Sequence, residues 1–174
     1  KQLWTEGLKE TGQTNPTLEL LTDDTTNAKR SAEYIQSTLQ QNLPGLKVTI
    51  ATVPFKTRLS RSQNGQFGMV ISAWSADFPD AITFLDLFTS DNSYDDGKWA
   101  NSKYDALIKQ SKTTDATNAT ARWNTLLKAQ ELLTKEQGVV PLYQRVQTTL
   151  QRKTITGLKY NPTNSYDFVN AKVK

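Results

Sequence analysis

Cysteine and histidine are both absent from the sequence. Without cysteine there is no disulfide and no thiolate metal site, and without histidine the commonest general base and metal ligand of proteins is missing. Much of ordinary enzymology goes with them, and the expectation is of no catalytic residue, metal ligand or cofactor. The missing cysteine does not fix a compartment, because many exported bacterial proteins carry none. Long apolar runs are lacking as well: no stretch reaches the roughly 18 to 20 residues that a membrane span requires, and residues 1–10 lack the apolar centre of a signal peptide. Any export signal is expected outside this stretch of sequence. The 21 basic residues exceed the 17 acidic ones by only four and are spread along the chain, so no phosphate-tracking stripe exists and nucleic acid is not an expected partner. Proline and glycine are few, and 36% hydrophobic with 22% charged residues is the composition of a folded domain. A chain of this length can bury roughly 70% of its unfolded surface.

The apolar spacing predicts an α/β pattern. Leu3, Trp4 and Leu8 share one face of a short helix that Gly12 can end, and after Pro16 the apolar Leu18, Leu20 and Leu21 read as a strand. Asp23 or Asp24 is the expected cap of a helix carrying Ala28, Ala32, Ile35 and Leu39, which Pro44-Gly45 stops before Val48, Ile50 and Val53 alternate as a second strand. That is a β-α-β unit, expected to cross over right-handedly. A short helix is predicted through Phe55 and Leu59, then a turn at Asn64-Gly65. Residues 67–73 form a nearly continuous apolar run of the kind buried on both faces of a sheet. Further helices are predicted around Ile82 to Phe88, around Tyr104, Leu107 and Ile108, and over residues 116–136, with a polar loop at 90–101 between the first two and short strands and loops after Gly138.

Chemistry concentrates in Trp74-Ser75-Ala76-Asp77-Phe78-Pro79-Asp80, immediately after that apolar run and before a helix. In open α/β sheets, ligands bind beyond the carboxyl ends of strands. There Trp74 offers a flat apolar face, the backbone of residues 73–76 can extend hydrogen bonds to a ligand strand, and Asp77 supplies a charge suited to an ammonium group. Simpler roles exist for the same residues. An aspartate between strand and helix commonly caps the helix or closes an Asx turn, which is the expected role of Asp80, and a tryptophan commonly packs in the core.

The string Phe67-Gly68-Met69-Val70-Ile71-Ser72-Ala73-Trp74-Ser75-Ala76-Asp77-Phe78-Pro79-Asp80, followed by Phe84-Leu85, resembles the W-x-A-D signature of the oligopeptide-binding proteins of ABC importers, the extracellular solute-binding proteins of family 5. Ala32-Glu33-Tyr34-Ile35-Gln36, Val48-Thr49-Ile50, Tyr104-Asp105-Ala106-Leu107-Ile108 and Val139-Val140-Pro141-Leu142-Tyr143 agree with that family in order and spacing. The resemblance implies a periplasmic-binding-protein-like lobe with a central mixed sheet flanked by helices. It takes residues 1–174 as one domain, part of the carboxy-terminal lobe of a longer two-lobe protein that closes on its ligand about a hinge. It implies no enzyme but the extracytoplasmic capture component of an importer. Its partners would be a short peptide and membrane permease subunits. It would be a monomer, held at the outer face of the cell membrane by a lipid anchor outside this stretch or free in a periplasm. Asp77 would receive the peptide's α-ammonium group, and Ala73, Trp74, Ser75 and Ala76 would line its backbone. Two positions depart from the family pattern. Ile71 stands where some members place a carboxylate-binding arginine, for which Arg58 or Arg61 could substitute if they are not simply surface residues, and Ala81 stands where a proline is usual.

Two other readings remain open on the sequence. A carboxylate hydrolase could pair Asp77 with Asp80 or Asp86, although a helix would point Asp86 elsewhere. An oligosaccharide-binding protein of the same fold could stack sugars on Trp74 and Trp99.

Overall fold

The structure, a computed structural model, describes residues 1–146, 148–161, 163 and 165–174. It comprises two compact units, Lys1–Ala73 and Trp74–Lys174. In the first, helix α1 (Gln2–Thr11) stops at Gly12, whose φ of 66° is a left-handed conformation that glycine adopts without a Cβ penalty. The Trp4 indole N–H donates to the Pro44 carbonyl at 2.9 Å and so ties α1 to the turn beyond the next helix. Strand β1 (Thr17–Asp23), helix α2 (Thr26–Asn42) and strand β2 (Lys47–Val53) form the expected β-α-β unit, with β1 and β2 parallel in register from Thr17 opposite Lys47 to Asp23 opposite Val53. The cap of α2 is Thr25, whose hydroxyl accepts from the Ala28 N–H, and not Asp23 or Asp24. Asp23 is drawn away to an arginine, described below.

Helix α3 (Phe55–Gln63) leads to β3 (Met69–Val70), and the sheet order is β2-β1-β3, parallel throughout. The apolar run at 67–73 therefore contributes only two ladder residues, both half-buried, and the strand covered on both faces is β1, where Leu20, Leu21 and Thr22 are all buried. The reason is position: β1 has neighbours on both sides whereas β3 lies at an edge of the three strands. At the other edge, Val48 turns its N–H and carbonyl away from β1, and two glutamines one helical turn apart on α2 satisfy them. Gln40 accepts the N–H at 2.8 Å and Gln36 donates to the carbonyl at 2.7 Å, which removes a pairing site from that edge. Leu20, Ala32, Leu46 and Val48 form the core of this unit.

In the second unit, helix α4 (Ile82–Leu85) runs into one 3₁₀ turn (Asp86–Phe88), and helices α5 (Ser102–Lys112) and α6 (Ala119–Lys135) follow the polar loop. Asn101 and Asn118 cap α5 and α6 with side-chain oxygens that accept backbone N–H groups. Ile82, Leu85, Tyr104, Ile108, Leu126, Ala129 and Leu133 make the core, and Tyr104, fully buried, donates its hydroxyl to the Leu85 carbonyl. After α6, Gln137 takes a φ of 57°, and Gly138 lies against Leu133 and Trp99 so closely that a Cβ would meet both at 2.7 Å. Trp99 is thus packed into this core, edge-on to Tyr104 at 5.1 Å, rather than offered to a sugar. Short antiparallel pairs complete the unit: β4 (Ile155–Thr156) with β7 (Lys172–Val173), and β5 (Lys159–Asn161) with β6 (Ser165–Asp167).

Candidate functional site

Beyond the carboxyl end of β3 the Ile71 N–H still donates to the Leu21 carbonyl, at 3.0 Å. From there to residue 76 the chain belongs to no helix or strand, and among the described residues no backbone N–H of residues 72–76 donates to a protein acceptor. A run of exposed amides and carbonyls left unpaired by the protein is open to an incoming main chain. Ser72, Ala73, Trp74 and Ser75 are exposed and Ala76 is half-buried. Ala73 closes the first unit and Trp74 opens the second. Trp74 is 37% exposed, which is too much for a core residue, and meets Tyr94 edge-on at 5.1 Å.

Asp77 is exposed, and among the described residues its carboxylate has no hydrogen-bond or ion-pair partner. Its own N–H donates to the hydroxyl of Thr83, a buried residue of α4, at 3.2 Å. The backbone of Asp77 is therefore fastened to the helix entry while its charge stays in solvent. Asp80, three residues on, is the helix-entry residue expected from the sequence: its Oδ1 accepts the Ile82 N–H at 2.8 Å. It is also engaged by both terminal nitrogens of Arg122, on α6, at 2.7 and 3.0 Å. These donors hold the Asp80 carboxyl below the usual carboxylate range, the Arg122 hydrogen bond first among the causes, and the same bond raises the guanidinium. Asp86 is paired with Lys112. Both carboxylates that a hydrolase would couple to Asp77 are thus already matched to cations.

Two further sequence expectations concern arginines. Arg58 is not a surface residue. It is 5% exposed, with its Nε 3.1 Å from Asp23 at the carboxyl end of β1, its Nη1 3.5 Å from the Ser72 hydroxyl, and its guanidinium 5.1 Å from the Phe55 ring centre. Arg61 pairs with Glu19 and also donates to the Gln66 carbonyl. Both arginines are therefore occupied inside the first unit, and neither stands ready to receive a ligand carboxylate.

Sequence reasoning passed over Thr83, Tyr94 and Arg122. Tyr94 had a signal, because the loop at 90–101 is rich in aromatics. The other two meet the Asp77 turn only through folding. The loop itself folds around Asp95, which is 3% exposed, with Oδ2 lacking any partner among the described residues. Burial pushes that carboxyl above its ordinary range, against the opposing pull of the Gly97 and Trp99 amides.

The fold is the α/β arrangement of periplasmic-binding-protein-like peptide-binding proteins. It superposes on the substrate-binding domain of an oligopeptide ABC transporter of Bacillus anthracis with a TM-score of 0.86 at 33% identity, covering 99% of this chain and 34% of that one. The match to Listeria monocytogenes OppA, solved bound to peptide, has a TM-score of 0.82 at 37% identity, over 99% of this chain and 33% of that one. The chain belongs to the bacterial extracellular solute-binding proteins, family 5, whose middle-region profile matches residues 1–96. A dipeptide-binding protein of Lactococcus lactis subsp. cremoris is 39% identical to it over 100% of this chain and 32% of the relative. The dipeptide-binding protein DppE of Bacillus subtilis is 32% identical over 96% of the chain and 30% of its own length. The chain thus spans less than a third of the length of these curated relatives.

Proposed function

We propose that this chain is part of the carboxy-terminal lobe of the solute-capture component of an ABC importer for short peptides, and that Asp77 binds the peptide's α-ammonium group. The observation that carries this reading is the contrast in charge pairing along one loop. Asp77 is exposed and unpaired among the described residues, at the end of a backbone run whose amides are also unpaired. A peptide laid along residues 73–76 would pair its main chain with that run and bring its cationic end to Asp77, with Trp74 offering apolar surface beside it. Once the site closes and water leaves, the pair gains strength from the lower dielectric. The permease subunits would be the partners of the complete protein. It would act as a monomer outside the cytoplasm, on a lipid anchor or free in a periplasm.

The test uses the full-length protein and calorimetric titration with trialanine and N-acetyl-trialanine. Asp77→Asn is expected to weaken trialanine by roughly 30-fold, about 2 kcal/mol, and to leave the acetylated peptide unaffected. Equal affinities of native and Asp77→Asn protein for trialanine would remove Asp77 from the site. Oligosaccharides that raised the melting temperature where peptides did not would replace the ligand class.

A further inference from the structure

We infer that Arg122 is a positioning residue for ammonium capture: by gripping Asp80 from helix α6 it fixes the turn from which Asp77 projects. The inference rests on the peptide reading above and adds to it a residue that touches no ligand.

Four connections, all within the second unit, make the case. The Arg122 guanidinium meets both oxygens of Asp80, at 2.7 and 3.0 Å, and such a two-bond fork fixes orientation as well as distance. Asp80 Oδ1 also accepts the Ile82 N–H, so the residue fastened to α6 also holds the first amide of α4. The Asp80 N–H donates to the Phe78 carbonyl at 2.8 Å and closes the turn on the side facing Asp77 in sequence. The Asp77 N–H is bound to Thr83 in the same helix α4. Asp77 is thus attached to α4 at its own backbone and through Asp80 at the other end of the turn, and α4 is attached to α6 through Asp80 and Arg122. Without the fork, Asp80 could still accept the Ile82 N–H, but no polar bond in this set would tie the turn to α6, leaving only the apolar core that α4 shares with that helix. Arg122 has a second consequence. It balances the charge of Asp80, so that in the turn from Asp77 to Asp80 the carboxylate of Asp77 alone is without a cation among the described residues.

The two roles predict opposite results, which makes the inference testable in the full-length protein with the same two probes. Arg122→Met is expected to weaken trialanine on the order of tenfold while N-acetyl-trialanine changes by less than about twofold, because only the ammonium depends on where Asp77 sits. Arg122→Lys keeps the charge but cannot form the fork, and is expected to fall between native and Arg122→Met. Equal losses for both peptides would mean general loosening, and no loss would mean the fork is dispensable. Tighter trialanine binding would mean that Arg122 acts only by screening Asp80. Each of these three results overturns the inference. Should Arg122→Met fail to fold, judged by near-ultraviolet circular dichroism, Arg122→Lys carries the same comparison between the two peptides. Asp77→Asn, run alongside, separates the levels. If it too fails to distinguish trialanine from the acetylated form, the ammonium reading itself falls and the inference falls with it. If it distinguishes them and Arg122→Lys does not, the inference alone is lost.

Discussion

Asp77 and Asp80 belong to one turn, three residues apart, yet the fold treats their charges in opposite ways. Asp80 receives two guanidinium N–H groups and one backbone N–H, whereas Asp77 has no partner among the described residues. A carboxylate matched in this way stabilises the folded state, and one left open in solvent contributes little to it and remains available. The same division holds for the two arginines of helix α3. Arg58 and Arg61 are paired with Asp23 and Glu19, so of these charges Asp77 alone is in neither pair nor fork. On the proposed function, binding rests on Asp77 and the paired charges are structural, and substitutions should respond accordingly.

The sharpest way to break this contrast is at Arg58. Arg58→Met keeps an unbranched apolar side chain but loses the guanidinium that lies over Phe55, and leaves Asp23 with its charge and no cation. Losing one partner of a buried pair costs about 3 kcal/mol or more, and the partial exposure of Asp23, 23% of its side chain, keeps the expected loss at the low end of that range. Native-state hydrogen exchange at Leu20, Leu21 and Thr22, in the strand that Asp23 ends, measures it directly. Unchanged protection there would show the pair to be incidental.

At Asp80 the expected effect is smaller, because both members of its pair keep about a quarter of their side chains in solvent. Asp80→Ala removes a helix-entry acceptor, worth about 1 kcal/mol, and an ion pair worth up to about 1 kcal/mol, for a total of about 1 to 2 kcal/mol in urea unfolding. The pH dependence follows from the lowered pKa. A carboxyl with a folded pKa below its unfolded value near 4 contributes fully above about pH 4 and loses its contribution as pH falls through the folded value. The gap between native and Asp80→Ala proteins should therefore be constant at neutral pH and close in acid. Asp95 acts with the opposite sign. Its raised pKa makes it a penalty on folding at neutral pH, and that penalty is relieved as pH falls from the folded value toward the unfolded one near 4.

These differences also show what a sequence can carry. The β-α-β unit, the stop at Gly12, the helices around Tyr104 and Leu126, and the entry role of Asp80 all follow from spacing and turn chemistry within about 20 residues. The polar and aromatic run at 73–77 also marks a break after an apolar strand, and the structure shows chain outside helix and strand there, with Asp77 exposed. What escaped depends on long-range partners. Thr25 outcompetes Asp23 and Asp24 as cap because Asp23 is taken by Arg58, 35 residues on. The run at 67–73 predicts a doubly covered strand, but a row of apolar residues does not reveal whether it lies centrally or at an edge, and pairing places β1 in the centre. Arg122 lies 42 residues from Asp80, and nothing in the helix pattern marks it out from any solvated arginine. Trp99 is aromatic enough for a sugar platform until Gly138 and Tyr104 enclose it.

The smallest expected effect is the most informative about the site. Asp77→Ala deletes a carboxylate that accepts nothing from the described residues, while its N–H keeps its bond to Thr83, which no side chain at position 77 is needed to make. Exposed substitutions away from caps, cores and networks stay within about 0.5 kcal/mol, so urea unfolding of the ligand-free full-length protein should not distinguish Asp77→Ala from native. With trialanine at saturation the two should separate, because a ligand stabilises the native state in proportion to the logarithm of its concentration over its dissociation constant, and that constant is what Asp77 is expected to set. A destabilisation of 1 kcal/mol or more without ligand would place Asp77 among the structural charges beside Asp80, and the contrast between the two would disappear.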